Sequence, residues 1–511
     1  MTQQLFKFQR DAVEQFAQYS ECLLGDDMGL GKTVQGIALD KMRRELQRAE
    51  FQAKYKGKAM TLVVAPLSTL GGWANHFKDW QPELRVEVID TKNRPAFVKS
   101  FQAGKADVYI CHWDSLRLMP ELRKVFWFHV IGDEIHRIKN RKAQLTVALK
   151  GIPTAHKLGM SGTPADNRPD DFWSVLNWVF PKLFPSYWPF YREHVLFQRH
   201  ADGTQCCEKR HKRPYIEILG THNVDAIHKA MGGRYIRRLK EEVALDLPEK
   251  YYTRIEVDLS PQQRRAYEQM RLHMLAWIGK HENDPVAAPV VIAQLIRLQQ
   301  FACAYGQIET VRYSTSQGCG KSENEVHSRP GTEDVPWAGM CKRCGEVIER
   351  EKDVLRLTDP STKIDAVMEL IEDNPDGSFV VFGQSKQVAN LLAERLHSRG
   401  ISVALLTGDT PAGSRTGIIE DFQAGRRRVF VGTIAAGGTG ITLTRASTVI
   451  FIDRAWSPSA NRQAEDRLHR IGQTNAVQVI DLVAKDTIDA ERIQKIELKW
   501  EWLRQILGDK K

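Results

Sequence analysis

Long apolar runs are missing from this chain of 511 residues; none approaches the ~20 residues that carry a helix across a bilayer. The opening residues (Gln3, Gln4, Leu5, Phe6, Lys7, Phe8, Gln9) lack the apolar stretch of a secretory leader. No membrane is expected as a partner, and the expected place is cytoplasmic or nucleoid-associated, or nuclear in a eukaryote. Cysteine is scarce too: eight residues without regular spacing exclude a disulfide framework and suit a reducing compartment. Low-complexity tracts are absent, and the internal likeness is that between the two halves of the chain. An acidic excess is also lacking, since 73 Lys plus Arg against 63 Asp plus Glu leave a net charge of +10. That balance suits a polyanionic partner without requiring one.

What is present reads as a soluble globular chain, 42% hydrophobic and too long for one ordinary domain. From residue 20 to 165, short apolar runs (22–24, 61–65, 86–89, 108–110, 130–132, 157–160) alternate with polar helical stretches. This rhythm predicts the βα alternation of a parallel sheet. It returns at 379–382, 403–406, 429–432, 449–452 and 477–482, which predicts a second α/β unit. Residues 166–300 carry Trp, Arg and Leu at helical spacing and are expected to form helical insertions, while 304–358 are polar, hold a cysteine pair and are expected to form a loop-rich insert, with no further sheet in either stretch. The expected boundaries are a first lobe over 1–250 with its insertion from about 166, a helical linker and Cys-containing insert over 251–360, and a second lobe over 361–511. Residues 490–507 form an amphipathic pattern with Ile493, Ile496, Trp500 and Leu503 on one side, expected to pack back on the body.

The chemistry-bearing motifs fall at predicted strand ends. After the first strand comes Gly25-Asp26-Asp27-Met28-Gly29-Leu30-Gly31-Lys32-Thr33, then a helix. Gly29 and Gly31 let backbone N–H groups approach phosphates, Lys32 can bridge β and γ oxygens, and Thr33 can offer a hydroxyl to Mg²⁺. The general pattern has Gly where Asp26 stands. A later apolar run ends in Gly132-Asp133-Glu134-Ile135-His136. There Asp133 would hold the metal and Glu134 would polarise the attacking water. Ser161-Gly162-Thr163-Pro164 ends the next strand and reads as a relay toward the second unit. Gln463, Arg467 and Arg470 recur at spacings of four and three, predicting one helix face whose arginines reach across a cleft to the γ-phosphate.

These motifs, in this order from about residue 5 to 485, resemble helicase superfamily two and within it the Swi/Snf-type DNA translocases. The stretch from Val63 to Leu70 followed by Trp73, and that from Gly437 to Thr444, carry the likeness further. The resemblance implies an α/β protein with two RecA-like parallel-sheet lobes, helical insertions and a C-terminal amphipathic helix. It implies ATP and Mg²⁺ as cofactors and DNA, duplex or branched, as partner. By it Phe8 and Gln9 would contact adenine, Gly440 would lie by the nucleotide, and Ser68, Thr69, Thr433 and Trp456 would track the DNA backbone. Asp27 stands where the family usually has Glu, which together with the S-G-T-P-A-x-N-R-P stretch resembles the compact annealing-helicase branch. Ile135 replaces an Ala that supplies no ligand. A strand-separating helicase and a nucleic-acid-binding scaffold with a vestigial ATPase are the rival readings; the intact Lys32, Glu134 and Arg470 set speaks against the scaffold.

Cys341-Lys342-Arg343-Cys344 forms half of a zinc knuckle, with Cys319 and His327, or Cys303, available for the other half. A structural zinc and free thiols are both open readings. Cys206 and Cys207 read as incidental. The basic stretches 210–213, 237–240 and 426–428 read as solvated faces, and Trp173, Trp178 and Trp188 as core.

Overall fold

The computed structural model describes residues 4–89, 93–200, 215–243, 247–280, 287–315, 348–437, 440–470 and 472–509. The zinc-knuckle residues Cys319, His327, Cys341 and Cys344 lie outside them, as do Cys206, Cys207 and the basic stretch 210–213. No helix among the described residues is long and apolar enough to cross a membrane.

The first half is built on β1 (Glu21–Leu24), β2 (Thr61–Ala65), β3 (Val86–Val88), β4 (Val108–His112), β5 (Trp127–Asp133) and β6 (Thr154–Met160). An antiparallel hairpin of β7 (Val195–His200) and β8 (Tyr215–Thr221) follows, then β9 (Tyr235–Ile236). Seven of these strands form one parallel sheet in the order β3-β4-β2-β5-β6-β1-β9. Every residue of β2 and β5 is buried, as expected for strands covered by helices on both faces. The second half adds β10 (Lys250–Val257), a long hairpin of β11 (Tyr305–Thr315) and β12 (Ile348–Thr358), then β13 (Phe379–Gly383), β14 (Val403–Leu406), β15 (Val429–Thr433), β16 (Thr448–Phe451) and β17 (Val477–Ala484). Its parallel sheet runs β10-β17-β16-β13-β15-β14. The two parallel-sheet lobes expected from the sequence are thus present.

Residues 166–300 are not uniformly helical as expected, because they contain β7, β8, β9 and β10, and the insert expected to be loop-rich carries the β11–β12 hairpin, so two further two-stranded sheets are present where none was expected. β10 is an edge strand exposed along most of its length, so its Tyr251, Tyr252 and Thr253 carry β-propensity without an apolar run. Trp173 and Trp178 are core, whereas Trp188, on the outer face of the helix Tyr187–His194, is 56% exposed.

The C-terminal helix Ile488–Leu507 packs on the body as expected, and it touches both lobes. Near its start Asp489 pairs with Arg492 and with Lys363, whose ammonium also donates to Ile452 O at 2.6 Å; all three side chains are buried in the second lobe. Near its end Leu503, Ile506 and Leu507 join the first-lobe core beside Ile227 and Met231. Tyr235 Oη donates to Leu507 O at 3.1 Å, and Asp509 pairs with Arg237. Truncating the fully buried Ile506 to Ala is expected to lower first-lobe stability by about 2–5 kcal/mol. Leu498→Ala, at a 51% exposed position on the same helix, should change it by under ~0.5 kcal/mol, both read by urea titration.

Candidate active site

In the first sheet β5, β6 and β1 are neighbours, so the segments leaving their C-terminal ends converge, which is where parallel sheets place ligands. They are the Gly25–Gly31 loop after β1, the Asp133-Glu134 pair ending β5, and Ser161-Gly162 after β6. Gly29 and Gly31 adopt φ of 86° and 74°, a left-handed region costly for other residues. It is this left-handed φ that calls for glycine at Gly31; a Cβ there would also lie 2.5 Å from Gln9 Nε2, the movable end of that side chain. Gln9 is itself buried, donates to Leu30 O at 3.0 Å and accepts from Phe6 N at 3.1 Å. Gly31 caps the helix Lys32–Tyr55, whose first-turn N–H groups make an anion site.

Lys32 folds onto the loop, donating to the carbonyls of Asp26 at 2.8 Å and Asp27 at 3.0 Å. Asp26 turns away from the cavity: its carboxylate accepts from Gln35 at 3.0 Å and from both arms of Arg238. Arg238 also reaches Phe8 O and lies 4.9 Å over the Phe8 ring. Arg237 donates to Gly25 O at 2.6 Å and Gly162 O at 2.9 Å, linking two of the converging segments. The stretch 237–240 is therefore not the solvated face expected. Its cations are turned inward by Asp26, Asp509 and Asp466, partners far away in sequence.

Asp133 is buried, accepts from Trp73 Nε1 at 2.9 Å, and its carbonyl accepts from Trp113 Nε1 at 3.1 Å. Burial, and then the neighbouring Glu134, push its carboxyl up to about 6. Glu134 holds a left-handed φ of 54°, an unusual conformation for a non-glycine residue. Its burial opposes charge, but His136 nearby, together with Lys32 and Arg467, holds it down at about 2. His136 Nδ1 lies 3.2 Å from Glu134 Oε2 and 2.9 Å from Ser161 Oγ, and Ser161 donates to Glu134 at 3.3 Å. Further along, Asp166 accepts from Ser457 of the second lobe at 2.6 Å.

The second lobe closes the site. Lys32, Thr33, Asp133, Glu134, Arg467 and Arg470 line one cavity of about 340 Å³. Gly440 lines it too, and a Cβ there would come within 3.0 Å of Thr69 and 3.3 Å of Ser68 Oγ. Arg467 is pushed down to about 10 by burial and by Arg470, so the two guanidiniums crowd a site that an anion would relieve. The helix Pro458–Glu465 ends before either arginine, so the single helix face expected for Gln463, Arg467 and Arg470 is not formed. The chain is drawn off by Leu443 N, which donates to Arg467 O at 2.9 Å, and by the ties of Glu465 and Asp466 to lysines. Gln463 is buried and its carbonyl accepts from Arg467 Nε at 3.0 Å. Thr433 ends β15, buried, with its hydroxyl accepting from Ala436 N at 3.4 Å. Trp456 packs against the buried cluster that includes Leu259 and Tyr267, and Lys499 donates to its carbonyl at 3.2 Å. Ser68 also borders a second, open groove of about 680 Å³ with His112 and Arg137 of the first lobe and Arg415 and Thr416 of the second. Those four residues gave no signal in the sequence, because each lies outside a motif.

The profile of the SNF2-related domain matches residues 8–306, and that of the helicase conserved C-terminal domain matches 362–472. The chain is 28% identical over 486 residues to the transcription regulatory protein SNF2 of Saccharomyces cerevisiae, covering 93% of this chain and 26% of that protein. It is 27% identical over 485 residues to the human SWI/SNF-related matrix-associated actin-dependent regulator of chromatin subfamily A member 1, covering 93% and 41% respectively. It thus spans between about a quarter and two-fifths of the length of these relatives. Among solved structures, the Sulfolobus solfataricus SWI2/SNF2 ATPase core in complex with dsDNA is similar over 99% of this chain and 97% of that one, with 22% identity and a TM-score of 0.40.

The electrostatics make a measurable demand. Burial and the neighbouring Glu134 hold the folded carboxyl of Asp133 above the ~3.9 of an unfolded aspartate, so its ionisation costs stability as pH rises above that value. Asp133→Asn should therefore raise the melting temperature at neutral pH, with the gain shrinking as pH falls from 6 toward 4. Melting curves with a pH-independent difference would contradict this.

Proposed function

This chain belongs to the SNF2-related family, and on that premise we propose that it is a DNA-stimulated ATPase that steps along duplex or branched DNA. The observation that carries the reading is the single cavity shared by the phosphate loop and acidic pair of one lobe and Arg467 and Arg470 of the other. A residue set divided in this way reacts only when the lobes are together, so ATP binding and hydrolysis become closing and opening.

The loop N–H groups and Lys32 receive the phosphates, with Lys32 exchanging its loop carbonyls for phosphate oxygens. Gln9, with Phe8 beside it, lies on the adenine side. Thr33 and Asp133 offer hard oxygen donors in one cavity, a set that fits Mg²⁺. When bound, that ion would neutralise charge on the β and γ oxygens. Glu134, ionised at neutral pH, orients and polarises the attacking water, while His136 and Ser161 fix its carboxylate. Arg467 and Arg470 stabilise the charge that develops on the γ-phosphoryl group, a contribution worth roughly 10³ to 10⁵ in rate in related chemistry. Ser161 and His136 at one end, and the Asp166–Ser457 bond at the other, form the relay from the acidic pair to the second lobe.

Ser68 and Thr69 lie beside Gly440, and Ser68 borders the open groove next to the cleft; hydroxyls there support a reading in which the protein tracks DNA by phosphate contacts. Such contacts are sequence-independent and salt-sensitive. Unwinding would need a wedge as well, since each base-pair step resists with roughly 1.4 kcal/mol of stacking. Branched repair or replication intermediates are the second substrate class proposed.

ATPase assays with duplex DNA, single-stranded DNA, RNA and no polymer test the reading. Duplex is expected to stimulate most, with displacement of a third strand from a triplex. Lys32→Ala should abolish turnover, and Glu134→Gln should bind ATP and stall. Efficient separation of a plain forked duplex, with single strands the better activator, would favour a helicase; normal turnover by Glu134→Gln would remove its assigned role.

A further inference from the structure

Five residues, 466–470, carry both arginines of the second lobe, yet the helix before them has already ended at Glu465. A non-helical turn needs ties to hold its side chains in place. One tie comes from the opposite lobe. Lys240 Nζ lies 2.7 Å from Asp466 Oδ1 and donates to His469 O at 2.6 Å. Asp466 directly precedes Arg467, and His469 directly precedes Arg470, so one ammonium grips the turn just ahead of each arginine. The Lys240 side chain is only 5% exposed.

Lys240 is equally well fixed to the phosphate loop. The segment leading to it bonds the loop through its backbone, with Gly25 N donating to Ile236 O at 2.7 Å and Asp27 N to Arg238 O at 2.9 Å. Its stem passes over Gly29: a Cβ built there would lie 3.5 Å from Lys240 Cε and 3.2 Å from Arg470 Cβ. Lys250 also pairs with Asp466, at 3.4 Å, but from β10 of the second sheet, so that tie moves with the second lobe. We propose that Lys240 is a positioning residue: it registers the turn bearing Arg467 and Arg470 against the phosphate loop and so delivers both arginines to the cavity. The inference rests on the ATPase reading for its kinetic consequence but not for its geometric one. A buried pair kept only for stability would leave the distance between lobes unchanged in variants that still fold.

The test combines single-molecule energy transfer with kinetics, using unnatural amino acids labelled at the exposed positions Leu46 and Glu394, one in each lobe. Lys240→Met should shift the nucleotide-free protein from high to lower transfer. It should also cut DNA-stimulated kcat on the order of 100-fold, as expected for a misplacement of about 1 Å, with KM for ATP little changed. Asp466→Asn should do the same, and the double variant should be no worse than either single one. Lys240→Arg should restore much of the rate. If Lys240→Met does not fold, Asp466→Asn and Lys240→Arg carry the same comparison. Unchanged energy transfer in the folded variants, or kinetic losses that multiply in the double variant, would overturn the proposal. A wild-type protein that hydrolyses no ATP would defeat the functional reading instead, leaving the energy-transfer response to decide this one.

Discussion

The adjacency of β5, β6 and β1 in one parallel sheet is the constraint on which the rest depends. Parallel strands end on the same side, so three segments distant in sequence are presented at one point: a glycine-permitted loop, an acidic pair and a serine. The sheet alone does not hold the loop in shape. Arg238 ties Asp26 to Phe8, Arg237 ties Gly25 to Gly162, and Gln9 closes over Gly31. Two of these three braces use charged guanidinium donors, where burial makes an unpaired group expensive, and the N–H groups of Gly25 and Asp27 are themselves tied to the carbonyls of Ile236 and Arg238.

Electrostatics then separate two adjacent carboxylates into two roles. Asp133, deep at the strand end, is pushed toward protonation, whereas Glu134, beside His136 and under Lys32 and Arg467, is held ionised. The crowding of Arg467 and Arg470 has the opposite sign. The cleft thus combines an uncomfortable acid with two uncomfortable bases, an arrangement that a polyanion carrying a divalent cation resolves on both sides. Sites of this kind trade stability for preorganisation.

Much of this was legible in the sequence. The apolar runs 61–65 and 130–132 fall in β2 and β5, and the Gly25–Gly31 loop, the acidic pair and Ser161 stand at the ends of β1, β5 and β6, because short buried strands ending in motif residues are local signals. What escaped was non-local. Lys240 and Asp466 are 226 residues apart, and Arg237 and Asp509 are 272 apart, so a basic stretch looked like a wet surface until its partners were in place. β10 escaped because an edge strand alternates weakly, and the early end of the helix at Glu465 because its cause lies in tertiary bonds rather than in a breaker residue. The arginines still reach the cleft, but from a turn.

The central claim is that two lobes build one reactive site, and Arg470→Ala tests it most directly. Arg470 belongs to the second lobe, lines the cavity, and donates to Thr442 Oγ1 at 2.9 Å and Ile441 O at 3.2 Å, both of its own lobe. If it completes the site from across the cleft, its loss should lower DNA-stimulated kcat by about 10³-fold or more, with ATP affinity largely kept. A variant that retains the maximal rate and changes only the Michaelis constant would contradict the account.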